Sequence, residues 1–459
     1  MAQIGVEDIV AAMEGHSPPQ IAAGVARLVY QGNISAGDRM PVIKEVAQNL
    51  GVSAGTVAVA WKILGDLGLV ESRGRSGTLV LPRPNSWLPP RYRPDTDSSA
   101  QVMLNLAEGT PDPDLLPDVT RGLILGTQDH RTMSVDSYFD PPVNPVLRDL
   151  LEASWPYHAQ RITVFDGAGD ALFRSLEETV RFGDRVAVED PGYPPLFDMA
   201  DVMGLVPVPL EMDSCGVTCE SLLRALKAGA KVICLQPRAQ NPTGVSMTPT
   251  RVRGLAQVLR RFDRARRPLI IEDDHSGLVT QARMVSLGAY LPDDVLRIQS
   301  FSKAYGPDFR MAALSGPASL IDSMVARRLL GPGWTSHLLQ RLLAQLMTDL
   351  EVQRQRRAAV IEYRRRAAAL ASELALREVV AHPGDGLTMW IPVLNEASAA
   401  GHLLAAGIRV SVGQQFSVAR REVVTGEPGP GHIRVSIGAL PATDLSGVAE
   451  LLAAAALLG

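Results

Sequence analysis

Lys303 stands in the stretch "SFSKAYGPDFR", just after the small hydroxyl residues Ser300 and Ser302 at the end of a short apolar run, with Arg310 seven places on. A lysine in such a setting suits the capture of a carbonyl compound. Its ammonium becomes a nucleophilic amine where burial or neighbouring positive charge destabilises the protonated form. Other polar residues close apolar runs in the same way: Tyr193 in "EDPGYPP", Asn241 in "QNPTG", and Asp273 beside Asp274 in "IIEDD". In "DGAGDALF", residues 166–173, Gly167, Ala168 and Gly169 present backbone N–H groups at a helix start, a natural seat for a phosphate.

Pyridoxal 5′-phosphate (PLP) asks for this set. Besides a capturing lysine it needs a carboxylate at its ring nitrogen, a donor to its phenolic oxygen, an aromatic face, and cationic and small residues at its phosphate. Asp273 can keep the pyridine nitrogen protonated, although Asp274 is chemically an equal candidate. Asn241 can donate to the phenolic oxygen and Tyr193 can stack on the ring. Arg310 can grip the phosphate as a fork, beside the hydroxyls of Ser300 and Ser302. Taken singly, each has an ordinary reading: Lys303 a surface lysine, Tyr193 a core residue, Asp273 a helix cap. Their order along one chain favours the cofactor.

Elements that could position these residues are visible as patterns. Past residue 102, short apolar runs such as "RVAVED", "KVICLQP", "PLIIEDD" and "VLRIQSFSK" alternate with segments of helical periodicity such as "CESLLRALKAGA". That alternation predicts an α/β fold with a mostly parallel sheet covered on both faces. Ligands of such sheets collect outside the carboxyl ends of the strands, where the candidate residues lie. From about 345 to 459, long helical patterns lead into the strands "LTMWIPV" and "HIRVSIG", which predicts a smaller α+β lobe.

Residues 1–81 read differently. "PVIKEVAQNLG" and "SAGTVAVAWKILGDLG" are two helical patterns joined by Leu50-Gly51-Val52-Ser53, as in a helix-turn-helix. "LVESRGRSGTLVL" follows as a hairpin, so the segment predicts a winged helix-turn-helix. Ser53 and Thr56 would begin the helix that meets base edges of double-stranded DNA, with Arg39, Lys44 and the hairpin-tip residues Arg73 and Arg75 as further contacts. Residues 1–80 carry six basic side chains against seven acidic ones, a thin electrostatic base for a duplex. The prolines of "PRPNSWLPPRYRPDTDSSA" make residues 82–101 a semi-rigid linker.

The 459 residues are 46% hydrophobic, enough for more than one core. No stretch approaches the roughly 18 apolar residues of a membrane span, and the N-terminus lacks a secretory pattern. Three sparsely placed cysteines suit reduced thiols and a cytoplasmic location.

"NPTG", the "EDD" run and "SFSK" with its arginine resemble the fold-type-I aminotransferases. With the winged helix in front, the chain from about Gln20 to Leu457 resembles the MocR-type subgroup of GntR-like transcriptional regulators. The resemblance implies that Lys303 forms an internal aldimine with PLP and that Asp273 rather than Asp274 pairs with the pyridinium. It also implies that Arg434 in "HIRVSIG" binds an effector carboxylate, and that the protein is a head-to-tail homodimer. It implies a regulator that binds promoter DNA and senses PLP or a small amine or amino acid. The alternative is a working PLP-dependent aminotransferase whose winged domain is vestigial or serves dimerisation. Departures from the family pattern are His275 in place of a tyrosine that would hold the PLP oxygen, Asp166 and Gly169 in the glycine-rich turn, Val143 in place of a glycine, and Ala54-Gly55 where an arginine is common. Lys44 stands where the family has a DNA-contacting arginine.

Overall fold

The computed structural model describes the chain except residues 1–4, 12, 14, 31–32, 67–68, 73–76, 82–88, 90, 92–101, 121, 123–136, 419–430, 442–443 and 459. It divides into two compact units. One comprises residues 1–94 with 180–185 and 195–206, and the other residues 95–179, 186–194 and 207–459.

In the first unit, helices α1 (Val6–Ala11), α2 (Pro18–Tyr30), α3 (Ile43–Leu50) and α4 (Ala54–Asp66) precede an antiparallel pair, β1 (Val70–Ser72) and β2 (Thr78–Val80). Gly51 ends α3 in the left-handed region at φ 66°, donating to the carbonyls of Ala47 and Gln48, which turns the chain sharply into α4. Ile21, Val25, Val46, Val57, Trp61 and Leu64 fill the core between the helices. The winged helix-turn-helix expected from the pattern is present. Arg91, past the wing, pairs with Asp198 at 2.9 Å and Asp201 at 2.8 Å. The expected linker, residues 82–101, falls almost wholly outside the described residues.

The second unit is built on a sheet in the order β4 (Arg161–Phe165), β11 (Ala312–Gly316), β10 (Val295–Ser300), β9 (Leu269–Asp274), β8 (Val232–Leu235), β5 (Arg185–Asp190), β6 (Val206–Asp213), β7 (Gly216–Val217). Strands β10, β9, β8 and β5 run parallel, while β11 is antiparallel to both its neighbours. Every residue of β8 and β10 is buried, as a sheet covered on both faces requires. Crossover helices include α5 (Pro145–Ser154), α6 (Ala168–Thr179), α7 (Pro194–Met203, which after its first residue belongs to the first unit), α8 (Cys219–Lys227) and α9 (Pro249–Arg260). Asn144 caps α5 by accepting from the N–H groups of Val146 and Leu147, and Thr248 caps α9 through Arg251.

A one-turn helix, α10 (Ser302–Tyr305), follows β10, and α11 (Ala318–Leu329) follows β11. The long helical run after residue 336 is two helices, α12 (His337–Thr348) and α13 (Leu350–Ala375), divided at Asp349. The Asp349 carboxylate accepts from the N–H groups of Glu351 and Val352, so the residue leaves the helix in order to start the next one. Beyond it, β12 (Thr388–Val393), β15 (Gly431–Ser436) and β14 (Ser411–Val412) form an antiparallel sheet, backed by α14 (Glu396–Ala405) and α15 (Leu445–Ala456). Strand β13 (Ile408–Arg409) pairs in parallel with β3 (Leu104–Asn105). No helix among the described residues is long and apolar enough to cross a membrane.

Asp349→Ala removes the cap of α13 and is expected to destabilise the protein by about 1 kcal/mol. Urea unfolding followed by far-UV circular dichroism reads this as a lower midpoint at unchanged slope.

Candidate functional site

The carboxyl ends of β8, β9 and β10 converge on one polar cluster, and two adjacent acids at the end of β9 meet opposite surroundings there. Successive strand residues face opposite sides. Asp274 accepts from Arg238 Nε at 3.1 Å and Nη2 at 2.5 Å, and from Arg297 Nη2 at 2.5 Å. Burial alone would raise its pKa, but the two guanidiniums outweigh burial and hold the carboxyl below the usual range. Asp273 accepts on Oδ2 from Gln236 Nε2 at 3.0 Å, while its buried Oδ1 has no partner among the described residues. Burial pushes the Asp273 pKa up, against the opposing influence of His275 and of the Gln236 hydrogen bond. Asp274, fully engaged, is not available to a ligand; Asp273 offers one oxygen.

Lys303 is the second residue of α10 and is half-buried. Its Nζ donates to the Gly109 carbonyl. Burial, reinforced by the positive charges of Arg434 and Arg310, pushes its pKa down to about 8, so roughly a tenth of the amine is neutral at pH 7. His275 contacts Ser276 Oγ through Nδ1 at 2.7 Å, and its buried Nε2 has no partner among the described residues. Burial lowers its pKa, and Lys303 acts in the same direction while Asp273 opposes, so the ring is a neutral donor or acceptor rather than a cation.

Asn241 donates its backbone N–H to Gln236 Oε1 at 2.9 Å, and its Oδ1 accepts from Arg434 Nη1 at 3.0 Å, which leaves Nδ2 as its side-chain donor. Arg434, on β15, also donates to the Ala107 carbonyl and to Ser411 Oγ at 3.2 Å, and its guanidinium lies 4.9 Å from the Phe416 ring centroid. Tyr193 is half-buried and follows Gly192, whose N–H donates to the Phe416 carbonyl at 2.8 Å.

The glycine-rich turn lies against Arg310. Gly167 has φ +102°, a conformation that favours glycine, and a Cβ built there would fall 2.6 Å from Arg310 Nη2 and push the guanidinium aside. Ala168 opens α6, and a Cβ on Gly169 would meet nothing. Asp166, a carboxylate unwelcome near a phosphate, is turned to Arg328 Nη2 at 2.6 Å and Thr335 Oγ1 at 2.8 Å. Ser300 is buried at the end of β10. Ser302 departs from expectation: its hydroxyl donates to the Phe309 carbonyl at 2.9 Å and holds the 302–309 turn. Val143 packs in the core with Leu147 and Leu151.

This donor set fits the PLP expected from the sequence. Asp273 Oδ1 and His275 Nε2 are buried without partners among the described residues, Lys303 is half-buried with a depressed pKa, and Gly167 leaves room beside Arg310. Three residues not singled out in the sequence complete the cluster: Gln236 joins Asp273 to Asn241, and behind it Gln240 Nε2 donates to Glu189 at 3.3 Å. Burial pushes the Glu189 carboxyl up to about 8. Their signal was polarity at the ends of β5 and β8.

In the first unit, Lys44 is exposed at the second position of α3. Ser53 Oγ accepts from the Thr56 N–H at 3.1 Å and contacts Thr56 Oγ1 at 2.8 Å, capping α4. Arg39 is exposed and lies over Gly77, where a Cβ would fall 2.7 Å from its Nε. Arg73 and Arg75 lie outside the described residues. Among the described residues of α4 the exposed positions are Ala54, Gly55, Ala58, Val59 and Lys62.

The model for bacterial regulatory proteins of the gntR family matches residues 19–80, and the model for aminotransferase class I and II matches residues 101–452. The chain is 31% identical over 444 residues to the vitamin B6 salvage pathway transcriptional repressor PtsJ of Salmonella typhimurium, covering 95% of this chain and 98% of that protein. The chain belongs to the MocR-type branch of the GntR-like transcriptional regulators. Another such relative is the HTH-type pyridoxine biosynthesis transcriptional regulator PdxR of Corynebacterium glutamicum, 26% identical over 76% of this chain and 79% of that one. Among solved structures, the second unit of this regulator shares its fold with kynurenine aminotransferase of Pyrococcus horikoshii (TM-score 0.67, 19% identity, 78% of this chain and 91% of that chain). It shares it equally with a mutant aspartate aminotransferase of Thermus thermophilus (TM-score 0.66, 21% identity, 78% and 97%).

Trace acetylation across a pH series should place the half-reactivity of Lys303 near pH 8. Arg434→Ala removes a like charge and should move that point upward.

Proposed function

We propose that this transcriptional regulator holds PLP at Lys303 and that occupancy of the site governs its grip on promoter DNA. The observation that carries the reading is the neutralisable Lys303 amine beside an acid, Asp273, with one buried oxygen left over, on the same chain as a winged helix-turn-helix. When bound, PLP supplies an aldehyde for reversible capture of amines and a protonatable ring that withdraws electrons. Lys303 would hold it covalently, Asp273 would keep its ring nitrogen protonated, and Asn241 and His275 would donate to its phenolic oxygen. Tyr193 would stack on the ring. The phosphate would rest on the N–H groups of Gly167, Ala168 and Gly169 and on Arg310, with Ser300 beside it. Ser302 would contribute only through its backbone. Arg434 would bind the carboxylate of an amino-acid effector. The names of the two relatives, one in vitamin B6 salvage and one in pyridoxine biosynthesis, support a B6 vitamer as the signal.

A covalent route to the reading domain exists within the chain. The carbonyls of Ala107 and Gly109 hold Arg434 and Lys303. A ligand that takes both cations would compete with both carbonyls, and these stand on the segment that follows directly in sequence from linker residues 82–101. That differential contact is what a population shift requires. The reading domain would run to residue 81, the PLP-binding domain from 102 with its small lobe from about 345, and two chains would pair head to tail. DNA would meet Arg39, Lys44, Ser53, Thr56 and the wing arginines Arg73 and Arg75. The small apolar face of Ala58 and Val59 suits contact with thymine methyl groups.

A second reading, transaminase turnover, is favoured by the depressed pKa of Lys303 and by Arg434 beside Asn241. Multiple-turnover conversion of an amino donor, with no retardation of DNA, would select it. The regulator reading predicts specific retardation of the DNA upstream of the protein's own gene, altered by PLP. Lys44→Ala should lower the slope of log affinity against log salt by about 2 in a dimer. An unchanged slope, or no retardation at low salt, contradicts it.

A further inference from the structure

We propose that Gln236 is the positioning residue that aims Asp273 at the cofactor ring and keeps it ionised there, while setting Asn241 on the other side of the same site. The inference rests on the PLP reading above. Gln236 is buried just past the end of β8. Its side chain is spent on two contacts: Nε2 donates to Asp273 Oδ2 at 3.0 Å, and Oε1 accepts from the Asn241 N–H at 2.9 Å. Its own backbone N–H donates to Glu189 Oε1 at 3.1 Å, which fixes the base of the side chain. One amide therefore spans the residue intended for the ring nitrogen and the residue intended for the phenolic oxygen. An amide has one donor end and one acceptor end, and here each end has a single use.

The consequence for Asp273 follows from its surroundings. A buried carboxyl tends to the neutral form, and a neutral acid cannot pair with a pyridinium. The groups facing Asp273 are Glu189 from β5, Cys234 from β8, and Asp274 and His275 along its own chain. Asp274 and an ionised Glu189 would add to the pressure toward neutrality, and His275 opposes it together with the Gln236 hydrogen bond. The donor from Gln236 acts on the ionised form, and by occupying Oδ2 it leaves Oδ1 for the ring. A methionine at this position fills the same length with no donor. A glutamate repeats the shape but carries a donor only when protonated.

The test uses full-length protein and PLP as the probe, with dissociation constants read by fluorescence between about pH 8 and about pH 5.5. Dividing each variant's constant by that of the parent at the same pH cancels the titration of Lys303, which all share. Without the donor, the Asp273 pKa rises, so the ionised partner is lost earlier as pH falls. For Gln236→Met the ratio should be larger at the acidic end of the series than at the alkaline end, because the ionised partner is lost at higher pH. For Gln236→Glu the ratio should run the other way, largest at high pH and falling as the new acid takes up its proton. In an Asp273→Asn background, Gln236→Met should add no pH dependence. A ratio that does not vary with pH, in either variant, assigns Gln236 a packing role and overturns the proposal. The Asp273→Asn comparison separates the two roles even where Gln236→Met lowers overall stability. Parent protein that binds no PLP at any pH sinks the underlying reading instead, and this inference with it.

Discussion

Asp274 is gripped by two buried arginines, and the geometry of the whole site depends on that grip. Arg238 follows β8, Asp274 ends β9 and Arg297 lies within β10, so the cluster ties together three adjacent parallel strands. Arg297 also reaches Glu272 at 3.5 Å, and its guanidinium lies 5.8 Å from the Trp155 ring centroid. Such a buried network is a weak source of net stability, because desolvating the charges offsets their attraction. Removing one partner, however, strands a buried charge at a cost of about 3–5 kcal/mol. What the network secures is placement. With Asp274 pinned on one side of the strand, the pleat turns Asp273 to the other, where Gln236 takes one oxygen and the second is left for a ligand.

The same logic accounts for the features that looked awkward. A carboxylate in the phosphate turn would repel an anion, but Asp166 is drawn off by Arg328 and Thr335. A histidine in place of a tyrosine would bring unwanted charge, but burial keeps His275 neutral and able to donate once. Lys303 is poised by burial and by two arginines from distant parts of the chain, Arg434 and Arg310.

Much of this was legible in the chain. Apolar runs closed by a polar residue marked β8, β9 and β10, and so the strand ends that carry Asn241, Asp273 and Lys303. Gly51 between two helical patterns marked the helix-turn-helix. The choice between Asp273 and Asp274 was not legible from chemistry, since it depends on arginines 36 and 23 residues away in sequence. Ser302 looked like a phosphate ligand beside Ser300 and Arg310, and only the turn through Phe309 shows its hydroxyl engaged. Gln236 carried no signal beyond standing at a strand end. The break at Asp349 was hidden because helical periodicity continues through it on both sides.

The central claim concerns one amine. Borohydride treatment of the PLP-equilibrated protein, followed by proteolysis and mass analysis, interrogates it directly. The account predicts a phosphopyridoxyl increment on the peptide containing Lys303 and its loss in Lys303→Ala. No increment, or an increment carried by a different lysine, contradicts it.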